Sequence, residues 1–221
     1  MFKQIFELFK SDSLYEQALD ECHEMLEIVR EMFNESVNTL RFSDTADIPI
    51  DIFAMDKKIN EFERDVRRKV MTHLAVSGNE DLGSGLILVS VVIDIERIGD
   101  YTKNIYDLAL RHPKKLSGGE YDKVLTEIEK STKDFLNDAI DAFKSQDIDL
   151  ARKLMQNYKT DISAVSSDIV EGIVSGKSNS FSSEEAGALC LYSRYLKRIA
   201  AHSRNLVSSI VNPFERIGYP E

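Results

Sequence analysis

The sequence predicts an all-α fold in which six long helices form two tandem three-helix units. Three observations carry this. Apolar residues recur at helical spacing, and no segment sustains the period-two alternation of a strand. Only four prolines and ten glycines interrupt 221 residues, of which 43% are hydrophobic and 30% charged; this suits helices around a sizeable core. The pattern also repeats. An offset of 103 lays Phe33-Asn34-Glu35 on Leu136-Asn137-Asp138, and Ile59 and Asp65 on Ile162 and Asp168. After a two-residue gap, an offset of 101 lays Arg97-Ile98 on Arg198-Ile199. So long a period exceeds that of solenoid repeats and implies two copies of one unit.

The elements follow in order. Residues 1–11 read as a short amphipathic segment, with Phe2, Ile5, Phe6 and Phe9 on one side. It either packs on the first bundle or docks on a partner or a second copy of the chain. The first unit occupies 12–113. Ser13 opens its first helix, with Glu16 three residues on as a capping box, and apolar positions continue towards Leu40. Ser43, Asp44 and Asp47 mark a loop, and the second helix covers 49–76 with Pro49 in its first turn. Ser77-Gly78-Asn79 breaks it, and the third helix runs to Arg111, before Pro113. Ser117-Gly118-Gly119 marks the internal boundary. The second unit, 117–212, carries helices at 121–145, 147–174 and 183–210, the last opened by a capping box at Ser182 and Glu185. Residues 213–221 read as an irregular tail.

A formal net charge of −10 and a pI near 5.0 count against nucleic acid, whose phosphates need a basic face. They also count against adsorption to anionic lipid. The first ten residues lack the apolar core and cleavage site of a secretory signal. The longest apolar run, 85–93, is far short of the ~20 residues that cross a bilayer. Cys22 and Cys190 are too few for a disulfide framework and read as core or near-core fillers. A cytoplasmic location is expected.

The most informative stretch is Asp94-Ile95-Glu96-Arg97-Ile98-Gly99-Asp100-Tyr101-Thr102-Lys103-Asn104-Ile105. On a helix Glu96, Asp100 and Asn104 fall at successive i, i+4 positions along one ridge. Asp56, Asn60 and Glu63 share one face of the second helix in the same way. Both ridges flank apolar stripes, so packing of the two helices would bring them to one groove. Stacked carboxylates repel, and raise one another's pKa, unless a cation lies between them. That cation is either a nearby Lys or Arg, with Lys57, Lys58, Arg64, Arg67, Arg97 and Lys103 in reach, or a metal ion suited to oxygen ligands. Gly99 lets another helix approach closely, and Ala200 can serve the second half similarly.

The run Glu96-Arg97-Ile98-Gly99-Asp100-Tyr101 with Asn104-Ile105, preceded by Asp56, Ile59-Asn60 and Phe62-Glu63, resembles the PhoU family of phosphate-uptake regulators over residues 12–212. The resemblance implies two three-helix bundles related by a pseudo-twofold axis, and no enzymatic activity. It implies a phosphate transporter or a phosphate-responsive sensor kinase as partner, and membrane association only through such partners; a homodimer is a further expectation. It also implies a site for iron, zinc or another divalent cation at Glu96 and Asp100, supported by Asp56, Asn60 and Glu63, with Asn104 behind them. The second half departs from this pattern. Lys197 stands for Glu96, Ala201 for Asp100, and Lys159, Ser163 and Ser166 for Asp56, Asn60 and Glu63. No cation is expected there. His202, in the place of Tyr101, reads as a surface or packing residue without an acidic partner.

Two rivals remain. A carboxylate-bridged metalloenzyme needs paired Glu-x-x-His motifs, and none of His23, His73, His112 and His202 follows a Glu at that spacing. No phosphate loop or nucleophile elbow is present either. A metal-free helical scaffold unrelated to phosphate differs from the leading reading in leaving the acidic groove without metal.

Overall fold

The computed structural model describes residues 13–77, 81–112, 114–178 and 180–220. Among these are seven α-helices and no strand. Helices α1 (Leu14–Phe42), α2 (Ile52–Ser77) and α3 (Leu82–Arg111) pack on one another. Helices α4 (Asp122–Ser145), α5 (Ile148–Tyr158), α6 (Val165–Val174) and α7 (Ser183–Val211) form a second group, and α3 packs along α7 to join the two. The amphipathic segment 1–11 lies outside the described residues, as do the breaks at Gly78-Asn79 and Pro113.

Both expected capping boxes form. Ser13 Oγ accepts from the Glu16 N–H at 3.1 Å while the Ser13 N–H donates to Glu16 Oε2 at 3.0 Å. Ser182 and Glu185 repeat this at 3.2 and 2.9 Å. Pro49 is not in the first turn of α2. Asp51 caps that helix instead, its Oδ1 accepting from the Ala54 N–H at 3.0 Å, because a carboxylate satisfies a free amide that proline can only omit. The expected fifth helix is divided by a π-helical turn, Lys159–Ala164, between α5 and α6. The tail is more ordered than expected. It makes a 3-10 turn, Phe214–Arg216, and Asn212 Nδ2 donates to the carbonyls of Arg216 and Tyr219 at 3.0 and 2.8 Å.

Each group buries its helical stripes. Cys22, Met25, Val29, Ile59, Val66, Ile95 and Ile98 fill the first core, and Leu125, Ile128, Ala139, Leu189, Leu196 and Ile199 the second. Cys22 is buried as expected, and Cys190 is half-buried. Gly99 permits the tight packing of α3 on α2: a Cβ there would stand 2.9 Å from Ile59 Cδ1. Replacing Gly99 by alanine is therefore expected to destabilise the protein by about 1–3 kcal/mol, despite alanine's better helix propensity; thermal unfolding measures it.

The crossover between the groups is fastened internally. The Leu116 N–H donates to the Leu40 carbonyl at 2.8 Å. Arg41 reaches Glu129 at 2.5 Å, Asp122 at 2.9 Å and the Leu116 carbonyl. One buried guanidinium thus ties α1, the connection and α4 together.

Candidate functional site

Packing of α2 on α3 brings the two acidic ridges into one groove. Lys103 Nζ lies 2.9 Å from Asp56 Oδ2 and 3.1 Å from Asp100 Oδ1, and so bridges the helices. Burial would lower the Lys103 ammonium, but hydrogen bonds to Asp56 and Asp100 outweigh it and hold the group above its ordinary value. Arg97 reaches Asp100 at 3.0 Å and Glu96 at 3.5 Å. Glu63 pairs with Arg67 at 2.9 Å. Glu96 is left the least compensated. Burial first, then the charges of Asp100 and Glu63, push its carboxyl up to about 7 against the opposing pull of Arg97.

The sequence-predicted residues are thus brought together in part. Asp56, Glu63, Glu96 and Asp100 share the groove. Asn60 turns its amide to the Asp56 carbonyl of its own helix at 2.9 Å. Asn104 is half-buried and has no hydrogen bond to these carboxylates among the described residues. Among the described residues, no three His, Cys, Asp or Glu side chains are placed to hold one metal ion. The cations lying between the carboxylates are Lys103 and Arg97, and a divalent ion would have to displace them. In this arrangement the donors do not fit a resident metal.

The same face of the second half is built with opposite charge. Lys197 donates to Ser167 Oγ at 2.8 Å. Ser166 turns away and donates to the Ser193 carbonyl at 2.7 Å. The side chain of Lys159 lies outside the described residues.

His202 does have an acidic partner. Its Nδ1 lies 2.7 Å from Asp94 Oδ1 on α3, and the Asn205 amide donates to the same oxygen at 2.9 Å. Arg198 faces His202 Nε2 at 3.3 Å and donates to the Tyr101 hydroxyl at 3.2 Å. Tyr101 stacks on His202, ring centroids 5.8 Å apart. At the offset of 101 these two rings hold equivalent positions. The Asp94–His202 pair likewise exchanges with the Tyr101–Tyr195 pair, whose centroids are 6.1 Å apart. Equivalent residues meet only where a twofold axis passes, which locates the pseudo-twofold between α3 and α7. Sequence reasoning missed this cluster because Asp94 and His202 are 108 positions apart. The signal was the alignment of Tyr101 with His202. Asp94→Ala leaves two polar partners unmatched at this junction and is expected to cost about 1–3 kcal/mol in urea unfolding.

The comparisons with known proteins agree with this duplicated frame. The PhoU domain family model matches twice, over residues 22–109 and 125–210. The chain belongs to the PhoU family. Each PhoU match covers one of the two helical groups, so the second half keeps the overall PhoU pattern although the acids of the groove are replaced there. The chain is similar to the phosphate-specific transport system accessory protein PhoU homolog 1 of Thermotoga maritima, with 25% identity over 95% of this chain and 87% of that protein. It is similar to the homolog from Pseudomonas putida, with 26% identity over 83% of this chain and 72% of that one. In fold it resembles the crystal structure of PhoU from Pseudomonas aeruginosa, with a TM-score of 0.78, 23% identity, and 92% and 97% of the two chains covered. PhoU from Streptococcus pneumoniae gives a TM-score of 0.72 at 17% identity, over 89% and 93%. No helix among the described residues is long and apolar enough to cross a membrane.

Proposed function

We propose that this chain is a cytoplasmic adaptor that regulates phosphate uptake by binding a phosphate transporter or its sensor kinase, without catalysis of its own. The observation that carries the reading is the double PhoU match, together with relatives named as accessory proteins of phosphate-specific transport systems. Any association with the membrane then runs through the partner protein. Deleting the gene is expected to alter phosphate uptake or its response to starvation. Unchanged uptake in both replete and starved cells overturns the proposal in favour of a scaffold unrelated to phosphate.

For the acidic groove, the Lys103 and Arg97 ion pairs favour a form of the adaptor that works without resident metal. Metal analysis after purification without chelators is expected to return no stoichiometric iron, zinc or manganese. A stoichiometric metal that is lost on combining Glu96→Ala with Asp100→Ala would establish the cation site instead.

A further inference from the structure

The duplicated halves differ most where they are otherwise equivalent. In the first, four carboxylates face Lys103, Arg97 and Arg67, and Glu96 is the one left least compensated. In the second, Lys197 takes the place of Glu96 and no carboxylate replaces the others. Lys197 is half-buried, and its one described partner is the neutral Ser167 hydroxyl at 2.8 Å. The Ser167 proton is itself given to the Ser163 carbonyl at 3.0 Å, which fixes the oxygen as an acceptor for Lys197. An ammonium has three protons, so two are left without a protein acceptor among the described residues.

The surroundings add positive charge and do not relieve it. Burial first, then Arg194 and Arg198, lower the Lys197 ammonium from its ordinary value. Arg194 is exposed one turn before Lys197 and has no ion pair among the described residues. Arg198 is engaged with Tyr101 and His202. Arg204, which aligns with Lys103, donates to the Gly218 carbonyl in the tail. Along α6 the nearest described carboxylates are those of Asp168 and Glu171; Asp168 is exposed, and Glu171 faces Lys177 at 3.5 Å. The Lys197 ammonium is partly desolvated and has no carboxylate partner among the described residues, so an anionic ligand would supply acceptors for its two remaining protons. In a chain of formal charge −10, this patch is a local exception. The adjoining π-helical turn, Lys159–Ala164, is a local irregularity of the kind frequent at functional sites.

We infer that the face of α7 beside α6 binds a small tetrahedral oxyanion of the inorganic phosphate class, with Lys197 and Arg194 as its cationic ligands and Ser167 positioning Lys197. The first half took a carboxylate cluster closed by lysine, and the second took the complementary charge. Ions that spread charge over several acceptor oxygens satisfy both an ammonium and a guanidinium fork, which chloride cannot do. The site goes beyond the regulatory reading and stands independently of it.

The test is calorimetric titration of the full chain with inorganic phosphate at neutral pH, with sulfate and chloride as comparison ions. Saturable binding of one phosphate is expected, weakened by about tenfold or more in Lys197→Met and in Arg194→Gln, each of which removes a charge-assisted contact. Ser167→Ala is expected to weaken it by a smaller factor. Lys103→Met, in the first half, is expected to leave it unchanged. Arg194 is exposed, so Arg194→Gln reports on the site even where Lys197→Met folds poorly. The inference is overturned by the absence of saturable phosphate binding. It is equally overturned by binding that survives both Lys197→Met and Arg194→Gln, or that falls as much in Lys103→Met as in those two.

Discussion

Arg41→Met is expected to destabilise the protein by about 3–5 kcal/mol at pH 8, as removal of one partner from a buried ion pair does. The Arg41 and Glu129 side chains are only 4% and 8% exposed, and they meet at 2.5 Å. Removing the guanidinium also frees the Leu116 carbonyl and Asp122, which hold the crossover to α1. Burial already pushes the Glu129 carboxyl above its ordinary range with Arg41 beside it. Without Arg41 the group can escape charge burial only by taking a proton. The loss is therefore expected to shrink at pH 5, where protonation is easier. Adding Glu129→Gln to Arg41→Met is expected to restore part of the stability. Urea unfolding at the two pH values measures all three variants. A loss below about 1 kcal/mol at pH 8 would show that the pair contributes no more than an exposed one.

Glu96→Gln is expected to act in the opposite direction. The folded-state value of Glu96 is about 7, above the ordinary 4.5. Between these values the folded protein holds a proton that the unfolded chain has released, so stability falls as pH rises from 4.5 to 7. Above pH 7 the penalty is complete, on the order of 2–3 kcal/mol for a group this buried. An uncharged amide avoids it and can still donate to Asp100. Glu96→Gln is therefore expected to raise stability at pH 8 by about 2–3 kcal/mol and to have little effect at pH 4. Paired thermal melts at the two pH values measure this. A variant less stable than the wild type at pH 8 would mean that Glu96 is charged and compensated by a cation, either Arg97 or a metal ion.

The helices were legible because their signals are local. Ser13 with Glu16 and Ser182 with Glu185 are complete capping boxes within four residues, and the structure forms both. The start of α2 was misplaced because Pro49 and Asp51 are both good opening residues, and only the hydrogen bond to Ala54 decides between them. The acidic residues Asp56, Glu63, Glu96 and Asp100 were legible from i, i+4 and i, i+7 spacing. Their counter-charge was not: Lys103 and a metal ion answer the same repulsion, and spacing within one helix cannot rank them.

The sequence by itself determined the helical class, the two-fold duplication, the acidic ridges of the first half and the loss of those acids in the second. These follow from residue type and periodicity along one chain direction, since every helical face repeats over a few residues. Only the tertiary structure decided that Lys103 closes the groove between α2 and α3, that Asp94 pairs with His202 across the pseudo-twofold, and that Lys197 meets Ser167 and no carboxylate among the described residues. Each of those depends on which side chains two different helices bring within about 3 Å. That distance is set by how the helices cross, through contacts such as Gly99 against Ile59 that no single helix encodes.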